Sequence, residues 1–360
     1  MKILYITYID FDKMNSGSSV RPQQIYNAFK KEGFEIKLLC AAQGRNNKNR
    51  RIKVMETLKW LDNNSPKICY IESPTYPILL KEDYLLLKKL HRKKIPTGYF
   101  YRDFYRKFPD LFPKRKGFYN SLKEIYLDYM QKKTDRALKN VDIVYFPSNE
   151  ATSLFEYNDM RMLPPAGENH IDYDKVLNHT CIYVGGISKL YGFEILIESF
   201  KILYSRNNDF RLILICRKDE WDNIDDEIKG YCWLEVHHAS GDELEQYYRK
   251  SSIALMPKIK NAYNDLAISV KLYEYMSYGL PVIATSNRAT EAVICEGNIG
   301  VISKQNPIDF ADAIECLANN TGEYYRIKKN VETSLLNYNL WKHRVNTIVN
   351  DLLNIGRVQE

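Results

Sequence analysis

Apolar residues along this chain follow two alternating periods. Compact runs rich in aromatic and β-branched residues, such as KILYITYI (2–9), read as strands. Between them, apolar positions recur every three or four residues, as amphipathic helices require. The pattern predicts strands at 2–9, 35–41, 67–73, 97–103 and 141–148, with helices near 21–32, 51–62, 78–93 and 118–139. MLPPAGENHIDYD (162–174) breaks the alternation with two prolines, a glycine and polar residues, and reads as a linker. Strands then resume at 181–186, 210–216, 233–238, 253–257, 281–285 and 298–303, and helical segments close the chain from 306 to 356.

Strands that alternate with helices predict α/β architecture with parallel sheets. A chain of 360 residues exceeds the usual single domain. The expectation is a first domain over 1–165, a second over 166–340, and a closing helix over 341–360 that packs back on the first. The halves repeat an architecture and not a sequence. Ligands of open parallel sheets bind beyond the carboxyl ends of the strands, where strand order reverses. Two doubly wound domains facing a cleft are therefore expected, with the loops after 9, 73, 103, 186, 216, 257 and 285 as its lining.

Composition adds exclusions. Hydrophobic residues make up 45% and charged residues 27%, as in globular proteins that bury a core. No apolar run is long enough to span a bilayer. MKILYITYIDFD enters a strand at once without a small-residue cleavage site, so a cytoplasmic location is expected. The seven cysteines are widely spaced and form no metal-ligating cluster, so buried free thiols are expected. Charge is uneven: residues 1–165 hold 31 Lys and Arg against 18 Asp and Glu, and residues 166–360 hold 21 against 27. A merely solvated surface also yields such an imbalance. The clusters KKLHRKK (88–94) and PKRKGFYNSLK (113–123), the second interleaved with aromatics, favour an anionic membrane surface or a phosphate-bearing partner. No nucleic-acid-binding motif is present, so no nucleic-acid partner is expected.

Three stretches can carry chemistry. DFDKMNSGSSVRPQQ (10–24) links a strand to a helix, where Gly17 permits close backbone approach and Ser18 or Ser19 can cap. Its amide groups, with Arg21, make a candidate anion contact, although a plain turn reads equally well. The stretch is not GxGxxG, and no acidic residue closes the second strand, which disfavours a nicotinamide-dependent dehydrogenase. VGGISKLYGFEILIESF (184–200) offers Gly185, Gly186 and Lys189 to a diphosphate, with Arg217 and Lys218 at the next strand end. KLYEYMSYGLPVIAT (271–285) places Lys271 and Glu274 on one face of a helix that starts near Ser269. A carboxylate can accept two hydroxyls at once, which suits a ribose diol. A simple ion pair would produce the same pattern.

That last stretch resembles the KLFEYMAxGxPVIAT element of GT-B glycosyltransferases, in particular those similar to family 4 (group 1). The resemblance extends over nearly the whole chain, through the first strand and glycine loop, YVGG…G…LIESF, ALMP and the helix around Trp341. It implies two tandem Rossmann-like domains, the first for the acceptor and the second for a nucleotide-sugar. It further implies that Glu274 binds the donor ribose, that Lys189 meets the diphosphate with Arg217 nearby, and that Ser269–Lys271 approach the donor. Two departures stand out. The paired glutamate eight residues before Glu274 is Leu266, beside Asp265, and the arginine usual after the first glycine is Gly186.

On the acceptor side, YFYRDFYRKFPD (99–110) offers Asp103. It would act as base in inverting transfer, or stabilise positive charge in retaining transfer; an ion pair with Arg102 or Arg106 is the alternative. Glu72 in YIESPTYP is the second candidate. No DxD motif appears, so metal-independent transfer is expected, with no metal or cofactor beyond a UDP- or GDP-sugar co-substrate. The resulting expectation is transfer of a hexose-type sugar to a glycan or lipid-linked glycan, in cell-surface polysaccharide or glycoconjugate synthesis, with peripheral contact to an anionic membrane. A nucleotide-sugar epimerase or hydrolase and a non-catalytic partner subunit of the same fold remain open.

Overall fold

The computed structural model describes residues 1–11, 17–44, 47–112 and 117–358. The chain divides into two compact units, Met1–Pro165 with the segment from Trp341 onward, and Ala166–Leu340.

In the first unit the order is β1 (Lys2–Thr7), α1 (Gly17–Lys31), β2 (Glu35–Cys40), α2 (Lys48–Asn63), β3 (Ile68–Glu72) and α3 (Lys81–Arg92). Then come β4 (Thr97–Phe100), α4 (Phe118–Leu138), β5 (Ile143–Phe146), the short α5 (Asn149–Thr152) and β6 (Met160–Met162). The six strands pair in parallel in the order β2-β1-β3-β4-β5-β6. Helices cover the sheet, so its inner strands read as continuous apolar runs: β3, β4 and β5 are buried at every position. β6 falls within the stretch adjoining the expected linker. It is a three-residue edge strand with no fully buried position, too short to show a period of two.

The second unit runs β7 (Thr180–Val184), α6 (Phe193–Arg206), β8 (Arg211–Ile215), α7 (Lys218–Trp221), α8 (Asp226–Lys229), β9 (Leu234–His237) and α9 (Glu245–Lys250). It continues with β10 (Ile253–Met256), α10 (Val270–Ser277), β11 (Val282–Thr285), α11 (Arg288–Gly297), β12 (Gly300–Ser303), α12 (Pro307–Asn319) and α13 (Thr321–Tyr338). Its strands are also all parallel, in the order β12-β11-β10-β7-β8-β9. The expected pair of doubly wound α/β units is thus present. Strand order reverses between β1 and β3 in one sheet and between β7 and β10 in the other, and ligands of such sheets bind at those points.

The closing helix α14 (Trp341–Val358) packs against α1, β3 and β4 of the first unit. Asp351 accepts hydrogen bonds from Tyr145 on β5 at 3.1 Å and Arg161 on β6 at 2.6 Å, and Arg344 donates to the Pro164 and Pro165 carbonyls. The fully buried Arg50 of α2 joins several elements: it pairs with Asp83 of α3 and donates to the carbonyls of Thr7 and Ala41. The expected burial of the cysteines holds for Cys40, Cys69, Cys181 and Cys216. Cys232, Cys295 and Cys316 are exposed, and all seven are free. Among the described residues, no helix is long and apolar enough to cross a membrane.

Candidate functional site

In the second unit, α10 is fixed against the strand ends by its own side chains. Ser269 caps its start by accepting from the Lys271 amide at 3.3 Å. The buried Tyr275 hydroxyl accepts from the Val184 amide at the end of β7 and lies 3.5 Å from the Leu255 carbonyl on β10. One residue earlier, Glu274 is partly exposed. Its Oε2 accepts from Lys271 Nζ at 2.5 Å and from Tyr248 Oη at 3.0 Å, while Oε1 takes no hydrogen bond among the described residues. Burial pushes the Tyr248 hydroxyl pKa well up, and the Glu274 charge adds to this, so Tyr248 remains a donor. The ion pair expected from spacing and the open carboxylate oxygen suited to a diol therefore coexist. Tyr248 was not foreseen: it lies 26 residues away on α9, in the featureless segment EQYYRK.

The loop after β7 meets the loop after β10 at the reversal of strand order. Gly192 sits at φ +77°, and a side chain there would place Cβ 1.7 Å from the Pro257 carbonyl oxygen. No other residue fits. Gly185 and Gly186 leave room for protein groups: Tyr183 Oη lies beside Gly185 and donates to the Gly186 carbonyl at 2.6 Å, and Tyr191 and Glu220 flank Gly186. The Ile187 amide, one that an anion could have used, donates to Glu220 at 3.0 Å. Arg217 also pairs with Glu220, at 3.3 Å, and is largely exposed. Glu220 thus draws Gly186, Ile187 and Arg217 together with a negative charge that the sequence pattern did not signal. Lys189 and Lys218 are exposed beside these groups in sequence, without an ion pair among the described residues.

Lys258 is a second residue that the pattern missed. It follows Pro257 directly, and its carbonyl accepts from Thr285 at 2.5 Å and Asn287 at 3.1 Å. Burial lowers the pKa of its ammonium to about 8, and no acidic partner accompanies it among the described residues. Asp265, at the altered acidic position, is occupied elsewhere: its Oδ1 accepts from the Arg288 amide at the start of α11. Leu266 beside it is buried. A cavity of about 510 Å³ opens at the opposite, amino-terminal end of β7 and β8, beside Lys175, Thr180, Arg211 and Glu235, away from these loops.

In the first unit, Arg21 and Glu72 meet where strand order reverses between β1 and β3. Arg21 Nε donates to Glu72 Oε1 at 3.0 Å, Tyr70 donates to the same oxygen at 2.8 Å, and the guanidinium lies 3.6 Å from the Phe100 ring centre. Glu72 is wholly enclosed, so a reacting group cannot reach it as it stands; its carboxylate orients Arg21. The two terminal nitrogens of Arg21 are buried without a hydrogen-bond partner among the described residues. Gly17, Ser18 and Ser19 fall within the bounds of α1, and loop residues 12–16 lie outside the described residues.

Asp103 follows β4, which ends at Phe100, and so sits on a loop. Burial raises its carboxyl pKa, against the neighbouring Arg102 charge and a hydrogen bond from Thr75. It lines a cavity of about 10 Å³, with Thr75, Tyr99, Tyr101, Gln131 and Thr134 among its neighbours; that volume suits one water. Arg106, the other proposed ion-pair partner of Asp103, binds Glu124 at 2.9 Å and Asp128, both on α4.

Residues 178–320 match the family model described as glycosyl transferases group 1. The chain is similar to that family and has the GT-B fold. The capsular polysaccharide biosynthesis glycosyltransferase CapM of Staphylococcus aureus is 26% identical over 184 residues, 47% of this chain and 46% of that protein. The chain thus matches less than half the length of that relative. Among solved structures, WaaG, a glycosyltransferase involved in lipopolysaccharide biosynthesis, superposes with a TM-score of 0.63 at 13% identity over 96% of this chain and 98% of its own. HepE of Anabaena, solved with UDP, gives a TM-score of 0.64 at 11% identity over 98% and 99%. At such identities the superpositions establish the fold alone. The matched segment contains Glu274, Lys271, Tyr248, Gly192 and Lys258.

Proposed function

We propose that the chain transfers a hexose-type sugar from a nucleotide-sugar, such as a UDP- or GDP-sugar, to a glycan or lipid-linked glycan in polysaccharide or glycoconjugate synthesis. The observation that carries this reading is the carboxylate of Glu274: one oxygen is fixed by Lys271 and Tyr248, and the other is open. Held this way, it can accept from a ribose hydroxyl without reorganising. Lys258 and Lys189 supply cations for the diphosphate, and Gly185, Gly186, Arg217, Lys218 and Ser269 line the same strand-end loops. Glu220 offsets part of the positive charge there, which assigns the main diphosphate contact to Lys258.

The first unit binds the acceptor in this reading. Asp103 is the proposed base or charge-stabilising group, since a carboxyl with a raised pKa is the stronger proton acceptor once ionised. Arg21, oriented by Glu72, is buried with it, and its two unused nitrogens are a candidate contact for an anionic group only where the surrounding loop opens. Cations and helix ends meet the charge on the leaving nucleoside diphosphate, and transfer is proposed to proceed without a metal. Titration calorimetry with UDP and GDP tests the donor half. The expected result is binding of one nucleotide by the native chain and loss of at least about tenfold in affinity for Glu274→Ala. Equal affinity in the two proteins would overturn the assignment.

A further inference from the structure

The cavity of about 510 Å³ at the amino-terminal end of β7 and β8 lies away from the loops that carry Glu274 and Gly192. Lys175, Arg211 and Lys250 line it, and none of the three has an ion-pair partner among the described residues. Lys175 is buried and donates one hydrogen bond, to the Tyr248 carbonyl at 2.8 Å. Arg211 spends a single terminal nitrogen on the Asn208 and Phe210 carbonyls. Two carboxylates stand against these cations, each engaged only in part. Glu235 Oε1 lies 2.6 Å from His237 Nε2, and Asp172 Oδ2 lies 3.9 Å from Arg249, which is itself bonded to Glu245.

These side chains match two kinds of group in one ligand. A phosphate monoester accepts several N–H donors at once, and the two ammonium groups and the guanidinium supply them with charge. Glu235 Oε2 takes no hydrogen bond among the described residues and can accept from a hydroxyl. The volume lies within the range of small-ligand pockets, roughly 300–1,000 Å³. The place in the fold sets the role. Substrates of parallel sheets bind at the carboxyl ends of the strands, and this cavity lies at the other end, so its occupant is not the reacting sugar.

Tyr248 connects this cavity to Glu274. Its carbonyl, close to the end of α9, accepts from Lys175, and its hydroxyl donates to Glu274 at 3.0 Å. Burial, with the nearby Lys328 charge, lowers the Lys175 pKa to about 7, so the ammonium is only partly charged at neutral pH. An anion beside it restores the charge and strengthens its hold on the Tyr248 carbonyl. We propose that this cavity binds a phosphorylated sugar as an effector, and that its occupation tightens nucleotide binding through Tyr248. The second half rests on the nucleotide reading of Glu274 given above; the first does not.

Titration calorimetry of the full chain with glucose 6-phosphate, in the absence of nucleotide, reads the site alone. The native chain is expected to bind it saturably and to ignore glucose. The Arg211→Gln, Lys250→Glu double variant loses at least about tenfold in that affinity and keeps the native melting temperature, since both side chains are exposed. Lys250→Glu alone, whose side chain makes no hydrogen bond among the described residues, loses at least about threefold and covers the case in which the double variant unfolds. Glu274→Ala and Lys258→Met bind glucose 6-phosphate as the native chain does. Titrations with UDP and GDP at saturating glucose 6-phosphate then read the link: affinity for the bound nucleotide rises about threefold, and Lys175→Met removes the rise. Absence of saturable binding by the native chain overturns the proposal. So does binding that the cavity variants keep and Lys258→Met loses, which would place the anion at the strand-end loops. Bound glucose 6-phosphate with unchanged nucleotide affinity overturns the effector role. A chain that binds glucose 6-phosphate but neither nucleotide fails the Glu274 reading and supports the site.

Discussion

Tyr248 and Lys271 converge on a single oxygen of Glu274, from α9 and from the turn of α10 just before it. The tyrosine comes from a different helix, so the orientation of the carboxylate depends on tertiary packing and not on α10 alone. Tyr248 is buried, its ring 5.9 Å from Tyr275, which itself is bonded to the end of β7.

Replacing Tyr248 by phenylalanine removes one donor to Glu274 and preserves the packing. Affinity for the preferred nucleoside diphosphate is expected to fall about three- to tenfold, less than the full worth of one hydrogen bond to a charged group because the tyrosine acts on the ligand through Glu274. Tyr248 acts here as a positioning residue, so a second readout separates that role from a merely structural one. Discrimination between the nucleotide and its deoxyribose analogue should shrink in Tyr248→Phe as it does in Glu274→Gln. Calorimetry with both ligands checks this; unchanged discrimination would remove Tyr248 from the site.

Gly192→Ala tests the meeting of the β7 and β10 loops. The added methyl would stand 1.7 Å from the Pro257 carbonyl oxygen, at a φ of +77° that side chains rarely adopt. Overpacking and backbone strain together are expected to cost about 2–4 kcal/mol. For a unit of this size that lowers the melting temperature by roughly 5–15 °C. Nucleotide binding should weaken as well, because relief requires the two loops to separate. Differential scanning calorimetry with and without nucleotide reads both effects.

Much of this arrangement was legible in the amino-acid pattern, for a physical reason. Inner strands buried on both faces show uninterrupted apolar runs, and the edge strands β2, β9 and β12 still carry four or more residues of strand-like composition, so eleven of the twelve stood out; β6, a three-residue edge strand, did not. KLYEYMSYGLPVIAT carried the Lys271–Glu274 pair because their spacing is local to one helix. Contacts between distant segments leave no such trace: Tyr248 on Glu274, Glu220 against Ile187, and Pro257 under Gly192 are products of strand order. Glu72 misled for the converse reason. Its position at a strand end resembles that of a reactive carboxylate, but Arg21 encloses it from 51 residues away.

Lys258 gives nucleotide binding a dependence on alkaline pH. Its pKa is lowered to about 8 by burial, so the free chain loses this charge as pH rises through that value. If its ammonium holds the diphosphate, affinity falls above pH 8 by about tenfold, and Lys258→Met removes the dependence while binding more weakly throughout. Stability without nucleotide moves the opposite way. A lowered folded-state pKa means the unfolded chain binds more protons between about 8 and the ordinary 10.5, so unfolding becomes harder as pH climbs through that window. Calorimetric titrations across pH and chemical denaturation at the same values check the two signs.

Asp103 governs the acid side. Burial raises its carboxyl pKa, so the ionised form needed by a base disappears at a pH above the ordinary aspartate value of about 3.9. The rate of transfer, as kcat/KM against pH, is expected to show an acid limb displaced upward to that raised pKa. Asp103→Asn should reduce turnover by at least about a hundredfold and abolish the limb, while nucleotide affinity stays native. The folded state holds this proton more tightly than the unfolded chain, so the contribution to stability is complete below the unfolded pKa and is lost as pH rises through the folded one. The asparagine variant, which never carries the charge, is therefore expected to be at least as stable as the native chain at neutral pH. A variant that melts lower and keeps the acid limb would mark Asp103 as a packing residue hydrogen-bonded to Thr75 and not as the base.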